Sequence, residues 1–141
     1  MPTASFPSWQ ERFSLHELYV RYFASLDERS GDRRWVECFS EDGVLETPSQ
    51  GILGSGRAAL AEWIKTYHQS WQPDEQRRHV FSNLELDVNG ASANGSCYLT
   101  AYHCRSGRAS LGVIGRYQDR LAKTNGVWRF SHRLVTVDGQ G

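Results

Sequence analysis

The feature that most constrains this chain is a change of hydrophobic period near Pro73. Before it, apolar residues recur at helical spacing; from Arg77 onward they alternate as strands do. Leu15, Leu18, Tyr19, Tyr22, Phe23 and Leu26 form one broad apolar helical face. Ser14 and Glu17 match an S-x-x-E capping box, with Phe13 and Leu18 at the staple positions, so a helix is predicted to start at Leu15. A short second helix is expected from Arg33 to Phe39 with Asp32 as its cap. Val44 to Thr47 reads as a short strand, and Gly51, Gly54 and Gly56 punctuate a loop after it. Leu60, Trp63, Ile64, Tyr67 and Trp71 predict a third helix, which Pro73 stops.

Asn89-Gly90, Ser106-Gly107 and Asn125-Gly126 mark three reversals in the second half. The segments between them exceed the usual strand of about 5 to 6 residues, and long strands in a meander must twist and bend. The order of elements therefore predicts an α+β cone-shaped barrel. Three N-terminal helices pack in the concave face of a strongly curved, mainly antiparallel sheet, around a buried pocket. A length of 141 residues suits one domain over residues 1–141, with 1–12 as an N-terminal extension.

Sixteen Lys plus Arg balance sixteen Asp plus Glu, so no long-range field would gather nucleic acid or an acidic membrane. No apolar stretch reaches spanning length, and a soluble, cytoplasmic protein is expected. Cys38, Cys97 and Cys104 are odd in number and lack CxxC spacing, which suits reduced thiols. Phosphate-loop, nucleophile-elbow and H-E-x-x-H motifs are missing, and the spacing of His68, His79, His103 and Cys104 matches no metal site.

The chain resembles the SnoaL-like group of the nuclear transport factor 2-like superfamily, which includes polyketide cyclases, scytalone dehydratase and bile-acid dehydratases. The resemblance is carried by Arg21-Tyr22-Phe23 with Asp27, Phe39-Ser40-Glu41-Asp42-Gly43, Gly54 to Arg57, Arg78-His79, Gly115 to Asp119, and Gly126 to Phe130. It implies a cofactor-independent lyase or isomerase, of dehydratase or cyclase type, acting on a hydrophobic small molecule without metal. A noncatalytic binding or assembly subunit of the same fold is the alternative, because fold alone does not give function.

Asp27, on the edge of the first apolar face, and His79, early in a long strand, could meet in the pocket; the resemblance is the main reason for choosing them. A carboxylate on one imidazole nitrogen fixes the tautomer and leaves the other nitrogen to remove a proton. Counting outward from an Asn89-Gly90 turn that pairs Val88 with Ala91 sets His79 opposite Thr100, with Tyr98 and Tyr102 on its face. A bulge at Asn94-Gly95 would bring Ala101 and His103 there instead. The resemblance selects His103, with Tyr102 as the alternative.

The resemblance also makes Tyr22 a candidate proton donor. Tyr117 and Arg133 could line the cavity, although an Arg133–Asp119 salt bridge is equally consistent with the sequence. Trp35, Trp63 and Phe81 supply aromatic walls suited to a flat apolar substrate. Thr47 and Tyr117 stand where scytalone dehydratase has a tyrosine and an asparagine, so scytalone itself is not the expected substrate. A homodimer through the outer sheet face is implied as well, with Val80, Leu84, Leu86 and Val88 expected on the side opposite His79.

Overall fold

In the computed structural model, which describes residues 8–141, Ser8 rather than Ser14 starts the first helix. The Ser8 hydroxyl accepts the backbone N–H of Glu11 at 3.3 Å, capping α1 (Trp9–Leu26). Ser8 and Glu11 repeat the S-x-x-E spacing upstream, so the signal at Ser14 was a second copy inside the helix. The Glu11 carboxylate accepts instead from Lys123 Nζ at 2.5 Å and Trp128 Nε1 at 2.8 Å, tying the start of the helix to the sheet. Residues 9–12, expected as extension, are thus helical, while 1–7 lie outside the described residues.

The remaining elements are α2 (Asp32–Val36), β1 (Phe39–Thr47), β2 (Gly51–Ser55), α3 (Arg57–Gln69), β3 (Gln76–Asn89), β4 (Ser92–Arg105), β5 (Arg108–Thr124) and β6 (Val127–Gln140). The expected α2 cap shifts to Gly31, and Phe39 opens β1 instead of closing the helix. The glycine-rich segment expected as a loop is β2, an edge strand antiparallel to β1. Six strands run in the order β2-β1-β6-β5-β4-β3 as a curved, unclosed sheet. All neighbours are antiparallel except β1 and β6. No helix among the described residues is long and apolar enough to cross a membrane.

The inner face carries Ala93, Cys97, Leu99 and Ala101 of β4, Tyr117 and Leu121 of β5, and Trp128 and Phe130 of β6, all buried. Leu15, Leu18, Tyr19, Tyr22, Phe23 and Leu26 of α1 pack onto it as the helical spacing predicted.

The register of β3 on β4 differs from the count made from the sequence in two places. The turn residues are Gly90 and Ala91, with Asn89 opposite Ser92 and Gly90 at φ +62°. The extra residue lies in β3, between Ser82 and Glu85, where Asn83 takes φ +54°. Asn94 and Gly95 are in regular register on both sides. Gly95 is glycine because a Cβ there would sit 2.2 Å from the Tyr19 hydroxyl.

The net result sets His79 opposite Ala101 and Arg77 opposite His103. His103 therefore lies on the inner side. Tyr102, the alternative, is 40% exposed on the outer face. The same bulge reverses the rest of β3, so Leu84, Leu86 and Val88 pack against the core. Of the four residues expected outside, Val80 alone is exposed.

Candidate functional site

Asp27 is the C-cap of α1, and its carboxylate reaches across to β3. Its oxygens accept the backbone N–H of His79 at 3.1 and 3.2 Å, and one lies 2.6 Å from the imidazole Nδ1. The backbone of Asp27 is pinned too, because the Gln76 side-chain amide donates to its carbonyl at 2.7 Å. A carboxylate can only accept, so Nδ1 carries the proton and Nε2 presents a lone pair. The side chains keep 7% exposure for His79 and 12% for Asp27, so the pair is largely buried but open to solvent.

Nε2 lies 3.3 Å from the Tyr67 hydroxyl, which comes from α3. Phe23 stacks nearly parallel to the His79 ring, with centroids 6.4 Å apart, and Phe81 continues the stack. Trp63 stacks on Tyr67 at 5.1 Å. Trp63, Tyr67, Arg77, Phe81 and His103, from the elements around the pair, are half-buried rather than closed into the core.

Arg77 stands between Tyr67 and His103. Its guanidinium carbon is 5.1 Å from the Tyr67 ring centre and 5.3 Å from that of Trp71, and its Nε donates to Glu75 at 2.5 Å. Burial lowers the His103 pKa, and the positive charge of Arg77 pushes it the same way against Glu75. The ring is therefore neutral near pH 7. It folds over Gly112, where a Cβ would come within 2.6 Å of its Nε2. Gly112 is also the extra residue of β5 at the register shift between β4 and β5.

The family model for the SnoaL-like domain matches residues 8–134. The chain belongs to the SnoaL-like family. Solved structures agree in fold with this SnoaL-like domain. Rv3472, a protein of unknown function from Mycobacterium tuberculosis, superposes with a TM-score of 0.82 at 28% identity, over 92% of this chain and 73% of that one. A nuclear transport factor 2-like protein with a cystatin-like fold from Novosphingobium aromaticivorans gives 0.83 at 24%, over 94% and 86%. A candidate scytalone dehydratase from the same organism gives 0.80 at 22%, over 94% and 87%. No curated protein matches the chain.

Several residues expected in the pocket of the SnoaL-like domain are core instead. Arg133 is fully buried, and its Nε and one terminal nitrogen donate to Asp119 at 2.7 and 2.9 Å; Tyr19 donates to the same carboxylate at 2.6 Å. The guanidinium carbon lies 3.9 Å from the ring centres of Tyr117 and Phe130, and 4.2 Å from that of Tyr22. Arg133 is thus an ion-pair residue boxed by rings, and Tyr117 is one wall of the box.

Tyr22 packs against Phe23, Trp35, Phe39, Tyr117 and Phe130, and His79 is not among its ring neighbours. Burial pushes the Tyr22 phenol up to about 12. Trp35 is likewise fully buried, between Tyr22, Phe39 and Trp63. His68 is committed elsewhere, with Nδ1 2.5 Å from Asp32 and Nε2 2.8 Å from the Leu26 carbonyl. A groove of about 520 Å³ lies away from this chemistry, on the outer face, beside Glu85, Asp87, Asn94, Ser96, Arg120 and His132.

Arg77 and Gly112 carry no site signal in the sequence, and Tyr67 reads there only as one of the aromatic rings that could surround the pocket, within the α3 apolar stripe. Arg77 and Gly112 signal only once the register is known.

Proposed function

We propose that this SnoaL-like domain is a cofactor-independent acid/base enzyme acting on a hydrophobic small molecule of polyketide, terpenoid or aromatic type. The observation that carries the reading is the 2.6 Å contact of Asp27 with His79 Nδ1, which leaves Nε2 as the basic nitrogen, 3.3 Å from the Tyr67 hydroxyl. In the proposed reaction His79 removes a proton beside a carbonyl, and Asp27 stabilises the imidazolium that results. His103, neutral and on the same inner side, offers an N–H to the departing or receiving oxygen. Dehydration, aldol cyclisation and double-bond isomerisation all begin with that proton removal. Trp63 and Phe81 form the apolar wall beside it. We further propose that two copies associate through the outer sheet face around Val80, Tyr98, Tyr102 and Ile114, all exposed.

The shared first step gives a test that does not require the natural substrate. A panel of flat ketones such as 2-tetralone is incubated with the protein in deuterium oxide, and exchange of the protons beside the carbonyl is followed by NMR. The reading expects accelerated exchange that His79→Ala abolishes while the fold is kept. No acceleration across the panel, or equal acceleration by His79→Ala, rejects it in favour of a noncatalytic binding subunit.

A further inference from the structure

The phenol of Tyr67 has an environment that ordinary core packing does not explain. Its hydroxyl meets His79 Nε2 at 3.3 Å, on the side of the imidazole that Asp27 leaves free. The side chain is held by a stack with Trp63 at 5.1 Å and an edge contact with Trp71 at 5.7 Å. Arg77 lies against the ring, steadied by Glu75 in turn. Burial raises the Tyr67 pKa, with Arg77 opposing the shift, so the hydroxyl keeps its proton at neutral pH and serves as a donor.

We propose that Tyr67, with Arg77 behind it, is the oxygen-binding arm of this site, and that the ligand class is a flat ketone whose carbonyl becomes an enolate beside His79. The inference rests on the proton-transfer reading above and adds to it where the negative charge goes. When Nε2 takes the proton, the C–H electron pair becomes the new C=C bond and the carbonyl π pair moves onto oxygen. The carbon that loses the proton and the oxygen that gains the charge are about 2.4 Å apart, from bond lengths of about 1.5 and 1.2 Å. A base and a donor 3.3 Å apart can serve both atoms at once. The Tyr67 hydroxyl donates to that oxygen, and the nearby Arg77 charge makes the site receptive to an anion. Tyr67 is the catalytic member of the arm; Arg77 is a positioning residue that acts through it.

The test uses 2-naphthol, which resembles the enol of 2-tetralone and whose absorbance and fluorescence distinguish the neutral from the ionised form. The wild-type protein is expected to bind 2-naphthol at least about tenfold more tightly than 2-methylnaphthalene, a comparison that needs no variant. Tyr67→Phe, which keeps the ring stack, should remove that preference and reduce ionisation of the bound naphthol. On 2-tetralone exchange the same variant should lose about 10²-fold in rate at saturation, with half-saturation little changed. Arg77→Gln should show a smaller loss of the same kind. Equal binding of the two naphthalenes, or a preference unchanged in Tyr67→Phe, overturns the oxygen-binding arm. Failure of the proton-transfer reading is visible separately, as exchange indifferent to His79→Ala.

Discussion

Asp27 holds His79 at two points, accepting from its backbone N–H at 3.1 Å and approaching its ring Nδ1 at 2.6 Å. The backbone contact fixes where β3 passes the end of α1, and the ring contact fixes the tautomer. Asp27→Asn keeps an acceptor of the same shape but loses the charge that stabilises an imidazolium. It should therefore fold and lose about 10²-fold or more in proton exchange. Near-normal exchange in a folded Asp27→Asn protein removes the carboxylate from the mechanism.

His103 should titrate below 6.5, its ordinary value, because burial and then Arg77 disfavour its charged form. The unfolded chain takes up this proton first as pH falls. The stability linked to His103 is thus complete above the unfolded value and is lost as pH drops through the folded one. NMR titration of the His103 ring should show the depressed midpoint, and Arg77→Gln should move it back toward 6.5. A midpoint at or above 6.5 contradicts the packing of His103 beside Arg77.

The Arg133–Asp119 pair should be a stability element. Asp119 accepts from Arg133 twice and from Tyr19 once, all within the core. Asp119→Ala leaves a buried guanidinium among aromatic rings and should destabilise the fold by about 3 to 5 kcal/mol in urea unfolding. Arg133→Met combined with Asp119→Leu removes both charges and should be more stable than Asp119→Ala alone. The opposite order would mean that Arg133 finds another counter-charge.

Periodicity carried the fold because it is a property of whole segments. The α1 face, the long strands and their turns survive an error of one or two residues at any boundary. The site depends on strand parity, which one residue reverses. The resemblance selects His103, but the structural cause of its inward face is the turn at Gly90-Ala91 together with the bulge at Asn83, and Asn94-Gly95 is regular. An asparagine within a strand that tolerates the left-handed region was the available signal for that bulge, and the same misplacement turned Leu84, Leu86 and Val88 outward in the sequence count. Arg133 and Tyr117 look identical in sequence whether they line a pocket or fill a core. Only the shared Asp119 carboxylate and the closure of the surrounding rings decide between those places.

With those three β3 residues in the core, the outer face offers a different patch from the one expected. Val80 and Ile114 both pair across Thr100, while Tyr98 and Tyr102 flank that row on β4. Their exposures are 52%, 45%, 56% and 40% in that order, which makes four large apolar side chains contiguous on one surface. A two-fold contact brings the same patch from both copies together. Sedimentation at micromolar concentration should therefore show a dimer. Tyr98→Glu places like charges in the self-facing patch and should give a monomer with an unchanged melting temperature for the isolated fold. A monomeric wild-type protein, or a dimer indifferent to Tyr98→Glu, excludes this face as the contact.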